Sequence, residues 1–283
     1  MTLKAAVFTT ALVVLCVWRV SAAENQNQND QRTQEQPGRK DGDSSLSPEI
    51  VTDRPDITES GIVVPKGSLQ AENGLTLTSD HGQRTLDLSE TLLRLGVGSR
   101  TELRLMIPNY SNGVGGRNPA FGFGDVAVGV KQQLGPLLGG FDLSVIAALS
   151  LPTGADRISS HSVDPFLKLP WSRDLKGRWS VGGMFSMFWN TDEGRRNFTW
   201  EPTFYVERQI TSPLDLFIEY AGDYPQRGGA RQVMHIGGAY KVTPKQQVDL
   251  HFGAGLSPGA PKRFFAVGYS FRFDHFCGRC LLH

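Results

Sequence analysis

The chain has 283 residues, enough to bury a large core, yet only 20% are charged, and Gly (32) and Phe (16) are abundant. Soluble domains run nearer a quarter charged and about 7% Gly. Basic and acidic side chains nearly cancel, 29 against 28, and no local basic patch stands out, which argues against a nucleic-acid partner.

Residues 1–23 read as a signal peptide. Lys4 gives a weakly basic start, Ala5 to Val17 an apolar stretch, and Ser21-Ala22-Ala23 the small residues of a cleavage site. Trp18 and Arg19 end the apolar stretch, so it is too short to span as a stable helix; an uncleaved interfacial anchor is the alternative. Val13-Val14-Leu15 ahead of Cys16 make a poor lipoprotein cleavage box. Cleavage removes Lys4 and Arg19, which brings 29 basic side chains to 27 against 28 acidic ones. Residues 24–48 are polar and unpatterned, from Asn25-Gln26-Asn27 to Pro37 and Ser47, and are expected to be a disordered arm. Residues 49–67 form a leader that carries Asp53, Arg54, Asp56 and Glu59 beside Pro55. It is too small for a domain and too charged to face lipid. It is expected to tuck into the periplasmic mouth as a plug and to pair with lumen charges such as Arg94 and Arg104; a flexible leader is the plainer alternative.

Residues 68–276 hold a repeated alternating unit. Val248, Leu250, Phe252, Ala254 and Leu256 alternate with Asp249, His251, Gly253 and Gly255, the period of a strand with one apolar and one polar face. Twelve such strands are expected, at 68–79, 84–95, 99–108, 122–132, 141–151, 162–171, 177–190, 198–210, 213–223, 231–242, 245–256 and 262–274. Each has about the ten residues that a tilted strand needs to cross hydrocarbon. Short connections (Gly96 to Ser99, Gly135 to Gly140, Ser172 to Lys176, Ile210 to Pro213, Val242 to Lys245) alternate with longer ones (Asn109 to Phe121, Pro152 to His161, Tyr224 to Ala230). A barrel with one periplasmic and one outer rim has this pattern. The fold class is therefore all-β, a transmembrane antiparallel up-and-down barrel in the outer membrane of a diderm bacterium.

Parity assigns the faces. Leu103, Leu105 and Ile107 point to lipid, as do Val126, Val128 and Val130; Trp179, Trp189, Trp200, Phe198 and Tyr240 fall near strand ends on the same face, where interfacial aromatics belong. In the second strand Leu86 and Leu88 share one parity and Leu93 and Leu95 the other, so a bulge is expected near Ser89–Glu90. The inward charges include Glu72, Arg94, Glu102, Arg104, Lys131 and Lys168 in the first half, and Glu201, Glu207, Glu219, His235, His251 and Arg272 in the second. Such a density fits a narrow wet channel or a lumen filled by cross-wall ion pairs. Inward Phe166, Phe188, Tyr205, Phe217 and Phe264 form a candidate slide for an aromatic solute.

Chemistry-bearing motifs are few. Cys277-Gly278-Arg279-Cys280 gives two thiolates where a structural zinc takes about four ligands. His275 and His283 stand close enough to complete a set, but a local disulfide or idle thiols on the 277–283 tail is the plainer reading. No metal or cofactor is expected. Inward His251 and Ser270, with Asp249 as orienter, suggest a barrel-embedded lipid hydrolase only by parity, and no GxSxG elbow exists. No enzyme activity is expected.

Several segments resemble a known family. Thr52-Asp53-Arg54-Pro55-Asp56-Ile57-Thr58-Glu59-Ser60 is similar to the opening motif of the outer-membrane transporter family named for the meta-pathway of phenol degradation. Gly67-Ser68-Leu69-Gln70-Ala71-Glu72-Asn73-Gly74 resembles its first strand, and Leu92-Leu93-Arg94-Leu95-Gly96-Val97 with Thr101-Glu102-Leu103-Arg104-Leu105 its next hairpin. Gly122-Phe123-Gly124-Asp125-Val126 with Lys131, and Leu149-Ser150-Leu151-Pro152-Thr153-Gly154, resemble its fourth and fifth strands, so the likeness spans about residues 50–273. The chain departs from such barrels at its end, which continues past Phe273 and Phe276. The resemblance implies an outer-membrane barrel for uptake of small, often aromatic, hydrophobic compounds. The expected function is passive passage of such solutes, with outer-membrane lipid, the solute and the barrel-assembly machinery as partners. A structural or adhesive barrel without transport is the alternative.

Overall fold

The computed structural model describes residues 49–80, 83–114, 121–137 and 139–276, all within one compact unit. The segments expected to be a signal peptide and a polar arm, and the 277–283 tail, lie outside the described residues. The chain forms β1 (Leu69–Asp80), β2 (Gln83–Gly96), β3 (Thr101–Ile107), β4 (Tyr110–Val114), β5 (Phe121–Phe123), β6 (Val126–Gln133), β7 (Phe141–Leu151), β8 (Asp164–Leu175), β9 (Trp179–Asp192), β10 (Arg195–Thr211), β11 (Leu214–Pro225), β12 (Arg231–Thr243), β13 (Gln246–Gly255) and β14 (Arg263–Phe273). All pairings are antiparallel. β1 pairs with both β2 and β14, Leu69 facing Leu95 on one side and Phe273 on the other, which closes the sheet. β3 and β4 both pair with β2, so they are two pieces of one stave. β5 and β6 pair with β4 and β3 in turn and make the next. The wall is a closed twelve-strand barrel.

The bulge expected near Ser89–Glu90 is present. Gly74 faces Glu90 while Leu75 faces Leu88, so Ser89 is the extra residue, with φ of 61°. This shift lets Leu86 and Leu93 share the outer face despite opposite parity.

Three boundaries differ from the sequence-based expectation. Asn109 to Phe121 is not all loop: β4 and β5 extend the hairpin beyond a break. The break follows from Pro108, which has no N–H for the ladder, and from Asp125, whose carboxylate accepts the N–H groups of Gly154 (2.8 Å) and Ser160 (3.0 Å) from the next loop. The connection expected between 190 and 198 shrinks to Glu193–Gly194. The ladder runs to Asp192 opposite Arg195, and both turn residues have positive φ (48° and 71°), as in the mirror-image turns that suit strand twist. The polar ends of β9 and β10 hid this extension, because alternation of apolar residues stops before pairing does. β8 likewise continues through Ser172 to Leu175, and the turn falls at Lys176–Arg178 with Gly177 at φ 78°.

The faces follow parity. Leu216 and Ile218 are each 46% exposed and Leu250 56%, while the intervening Phe217, Glu219 and Asp249 are buried. Trp179, Trp189, Trp200 and Tyr240 are exposed on the outer face near strand ends. Phe198 packs on Trp189 with ring centroids 5.5 Å apart. The buried interior is mainly polar, the inverse of a soluble domain.

Candidate functional site

Residues 49–67 cross the barrel lumen. The segment enters at the rim of short turns, where Ile50 N–H donates to Pro244 O (2.6 Å) and Arg272 donates to Glu49 O (2.9 Å). It reaches inward to Ile57 and Thr58, whose N–H groups both donate to the Glu219 carboxylate at 2.8 Å. It returns beside β2, where Val64 N–H donates to Glu102 (2.7 Å) and Gly67 N–H to Gly96 O (2.7 Å). Ile50 and Val64 are buried.

Charge pairing holds the segment on one side. Asp53 lies 2.7 Å from Arg104, 3.1 Å from Lys131 and 3.3 Å from Arg94. Glu59 lies 2.7 Å from Arg104 and 2.6 Å from Lys168. Arg94 also bonds Glu72 and Glu102, each at 2.9 Å, and Arg104 bonds Glu102 at 2.7 Å. Arg94, Arg104, Lys131 and Lys168 thus meet only Glu72 and Glu102 among these wall groups, and Asp53 and Glu59 supply the two missing negative charges. Burial would raise the Asp53 carboxyl, but Arg94, Lys131 and Arg104 outweigh it and hold it well below the usual range. Glu59 is likewise lowered: burial opposes, and Arg104 and Lys168 prevail. Arg54 reaches the other way, to Glu90 and Asp249 at 3.4 Å each. Its guanidinium lies over Gly74 and Gly268, which face each other across β1 and β14; a Cβ at either position would collide with it.

Asp56 is different. Its Oδ1 is sealed from bulk solvent and has no hydrogen-bond donor among the described residues. Burial first, then Glu219, Glu207 and Asp249, push its carboxyl well above the usual range. A cavity of about 190 Å³ opens here between the segment and the wall, lined by Asp56, Tyr205, Glu207, Asp215 and Lys241 among others.

Every charged candidate from the sequence lies on the inner wall. Glu72, Arg94, Glu102, Arg104, Lys131, Glu219, His235, His251 and Arg272 are buried, and Lys168, Glu201 and Glu207 are partly so. His235 Nε2 sits 2.6 Å from Glu219 Oε2, beside the carboxylate that receives the segment but without hydrogen-bond geometry. Arg272 serves the rim, bonding Glu49 O and Asp274. The five aromatics do not form one slide. Phe166 and Phe188 pair on β8 and β9 with centroids 5.5 Å apart, and the Lys168 ammonium lies 5.6 Å from the Phe166 ring. Phe217 and Phe264 pack with His235, at 5.4 and 5.8 Å, on β11 to β14. Tyr205 stands apart, at the cavity. The hydrolase pair is separated by register: His251 faces Ala266 and Ser270 faces Gln247, four residues along the strand, while Asp249 engages Arg54 rather than His251.

Sequence reasoning missed the uncharged groups that grip the segment. Thr203 meets Thr58, Ser144 donates to Gly61 O (2.5 Å), Gln133 accepts from Val63 N–H (3.4 Å), and Gln247 donates to Thr52 (2.8 Å). Inward parity places them in the lumen but does not show that they meet the segment.

The fold and this interior define a transmembrane antiparallel barrel whose lumen is crossed by the segment ahead of its first strand. The family model described as "Putative MetA-pathway of phenol degradation" matches residues 52–273, and the chain belongs to that family. An outer membrane channel from Pseudomonas putida F1 shares the fold at 14% identity and TM-score 0.60, covering 75% of this chain and 97% of that one. The NanC porin aligns at 14% identity and TM-score 0.49, covering 72% and 98%; the KdgM porin aligns at 12% and 0.46, covering 73% and 99%. No curated protein matches the chain in sequence.

Proposed function

We propose that the protein is an outer-membrane channel for passive passage of small solutes, with a preference for aromatic or apolar ones, narrowed by residues 49–67 acting as a plug. The observation that carries the reading is a closed apolar-walled barrel whose charged lumen still holds a cavity of about 190 Å³ beside the plug. Charges at this density face lipid only at high cost, so they belong to a wet or ion-paired interior. The aromatic preference rests on the Phe166–Phe188 pair, the Phe217–Phe264 cluster and family membership, with each ring contact worth about 0.5–1.5 kcal/mol.

Liposome swelling with purified protein, against graded polar and aromatic solutes, tests the reading. Swelling should be measurable for small solutes and faster for phenolic ones than for polar solutes of equal size. Deleting residues 24–60 should speed entry of all of them while the barrel stays folded. The ion-paired interior also favours a second reading, a closed structural barrel, and absence of swelling in both forms would select it.

A further inference from the structure

The plug divides the lumen by charge. On the β2, β3, β6 and β8 side, Asp53 and Glu59 consume the cations of the wall. The cavity lies between the plug, whose Asp53, Arg54 and Glu59 also line it, and the wall that carries Asp174, Glu207 and Asp215, and there carboxylates are in excess. Asp56 Oδ1 has no donor among the described residues. Glu207 accepts only a hydroxyl, from Ser180 at 3.1 Å, among the described contacts. Asp215 lies 3.8 Å from Lys241, which is closer to Glu49 at 2.8 Å. Arg54 also lines the cavity but is engaged by Glu90 and Asp249, so Lys241 is left to serve Glu207, Asp215 and Glu49 in a confined space, where field lines are focused and a mobile counter-ion is the available neutraliser. Among the described residues no three acid, histidine or cysteine groups converge to hold a metal, so the arrangement fits transit rather than tight binding.

We infer that the gap between the plug and the β8–β12 wall is the conducting path, and that Glu207 and Asp215 make it select cations and neutral solutes over anions. This rests on the channel reading above. The plug thereby sets selectivity as well as width: it masks Arg94, Arg104, Lys131 and Lys168, which would otherwise favour anions.

Reversal potentials in a planar bilayer under a KCl gradient test this, with folding of each variant checked by heat-modifiable gel mobility. Wild-type protein should reverse on the cation-selective side. Glu207→Gln with Asp215→Asn should shift the potential toward zero. Asp53→Asn with Glu59→Gln should shift it further, toward anion selectivity, as the basic wall is uncovered. Anion preference in the wild type, a potential unmoved by either double variant, or current that appears only after residues 24–60 are deleted would each overturn the inference while leaving a channel. Folded protein that conducts in no form would instead sink the channel reading itself.

Discussion

Three cations converge on Asp53 from β2, β3 and β6, and that convergence sets how the plug answers to pH. Asp53 and Glu59 have carboxyls lowered in the docked plug. The docked form therefore keeps them ionised at a pH where a released segment would take up protons. Their contribution is fully present above the ordinary carboxylate range and is lost as pH falls through the lowered values. Asp56 acts oppositely, because its carboxyl is raised and acid relieves its penalty, but it is one group against two. Wild-type plug should resist added protease at neutral and mildly acidic pH and become cleavable only in strong acid. Asp53→Asn, which leaves buried cations short of a partner at a cost of about 3–5 kcal/mol, should make residues 49–60 cleavable at neutral pH. Release on raising the pH would contradict this assignment. Gly74 and Gly268 show the same site from the backbone side: two inward positions without side chains make room for Arg54, and nothing in either strand's alternation reveals that need.

At the level of elements, strands announce themselves by parity and turns by Gly and Pro, but only where apolar residues continue to the turn. Val248 to Leu256 does so, and β13 was legible from Gln246 to Gly255. Asp192 and Arg195 do not, so the tight turn between β9 and β10 went unseen until the ladder was in view. The lumenal position of residues 49–67 was legible in part: their charges forbade lipid, and Arg94 and Arg104 do pair with Asp53 and Glu59. Its full grip, from Thr203 on β10 to Gln247 on β13, required knowing which strands stand opposite one another. Single cysteines at Gly154 and Gly140, in a background lacking Cys277 and Cys280, should be labelled on intact cells at Gly154 alone, because the Leu151–Asp164 connection is long and the 134–140 connection is short. Labelling at Gly140 alone would invert the topology.

Across the whole molecule, a polar interior inside an apolar wall suits passage driven by a gradient. Cells lacking the protein should take up a phenolic solute more slowly at low concentration, and the deficit should persist when the inner membrane is de-energised. Equal uptake of a broad solute panel with and without the protein would leave the barrel a structural role.

The sequence by itself determined the barrel, its twelve staves, the lipid face and the bulge at Ser89, because each rests on local alternation with a period of two. Only the tertiary structure decided which inward charges meet. Closing the sheet sets β2, β3, β6 and β8 around Asp53 and Glu59, places Asp56 among carboxylates, and moves Ser270 away from His251. These relations depend on strand register and on the path of residues 49–67 through the lumen, and neither is encoded in the period of any single strand.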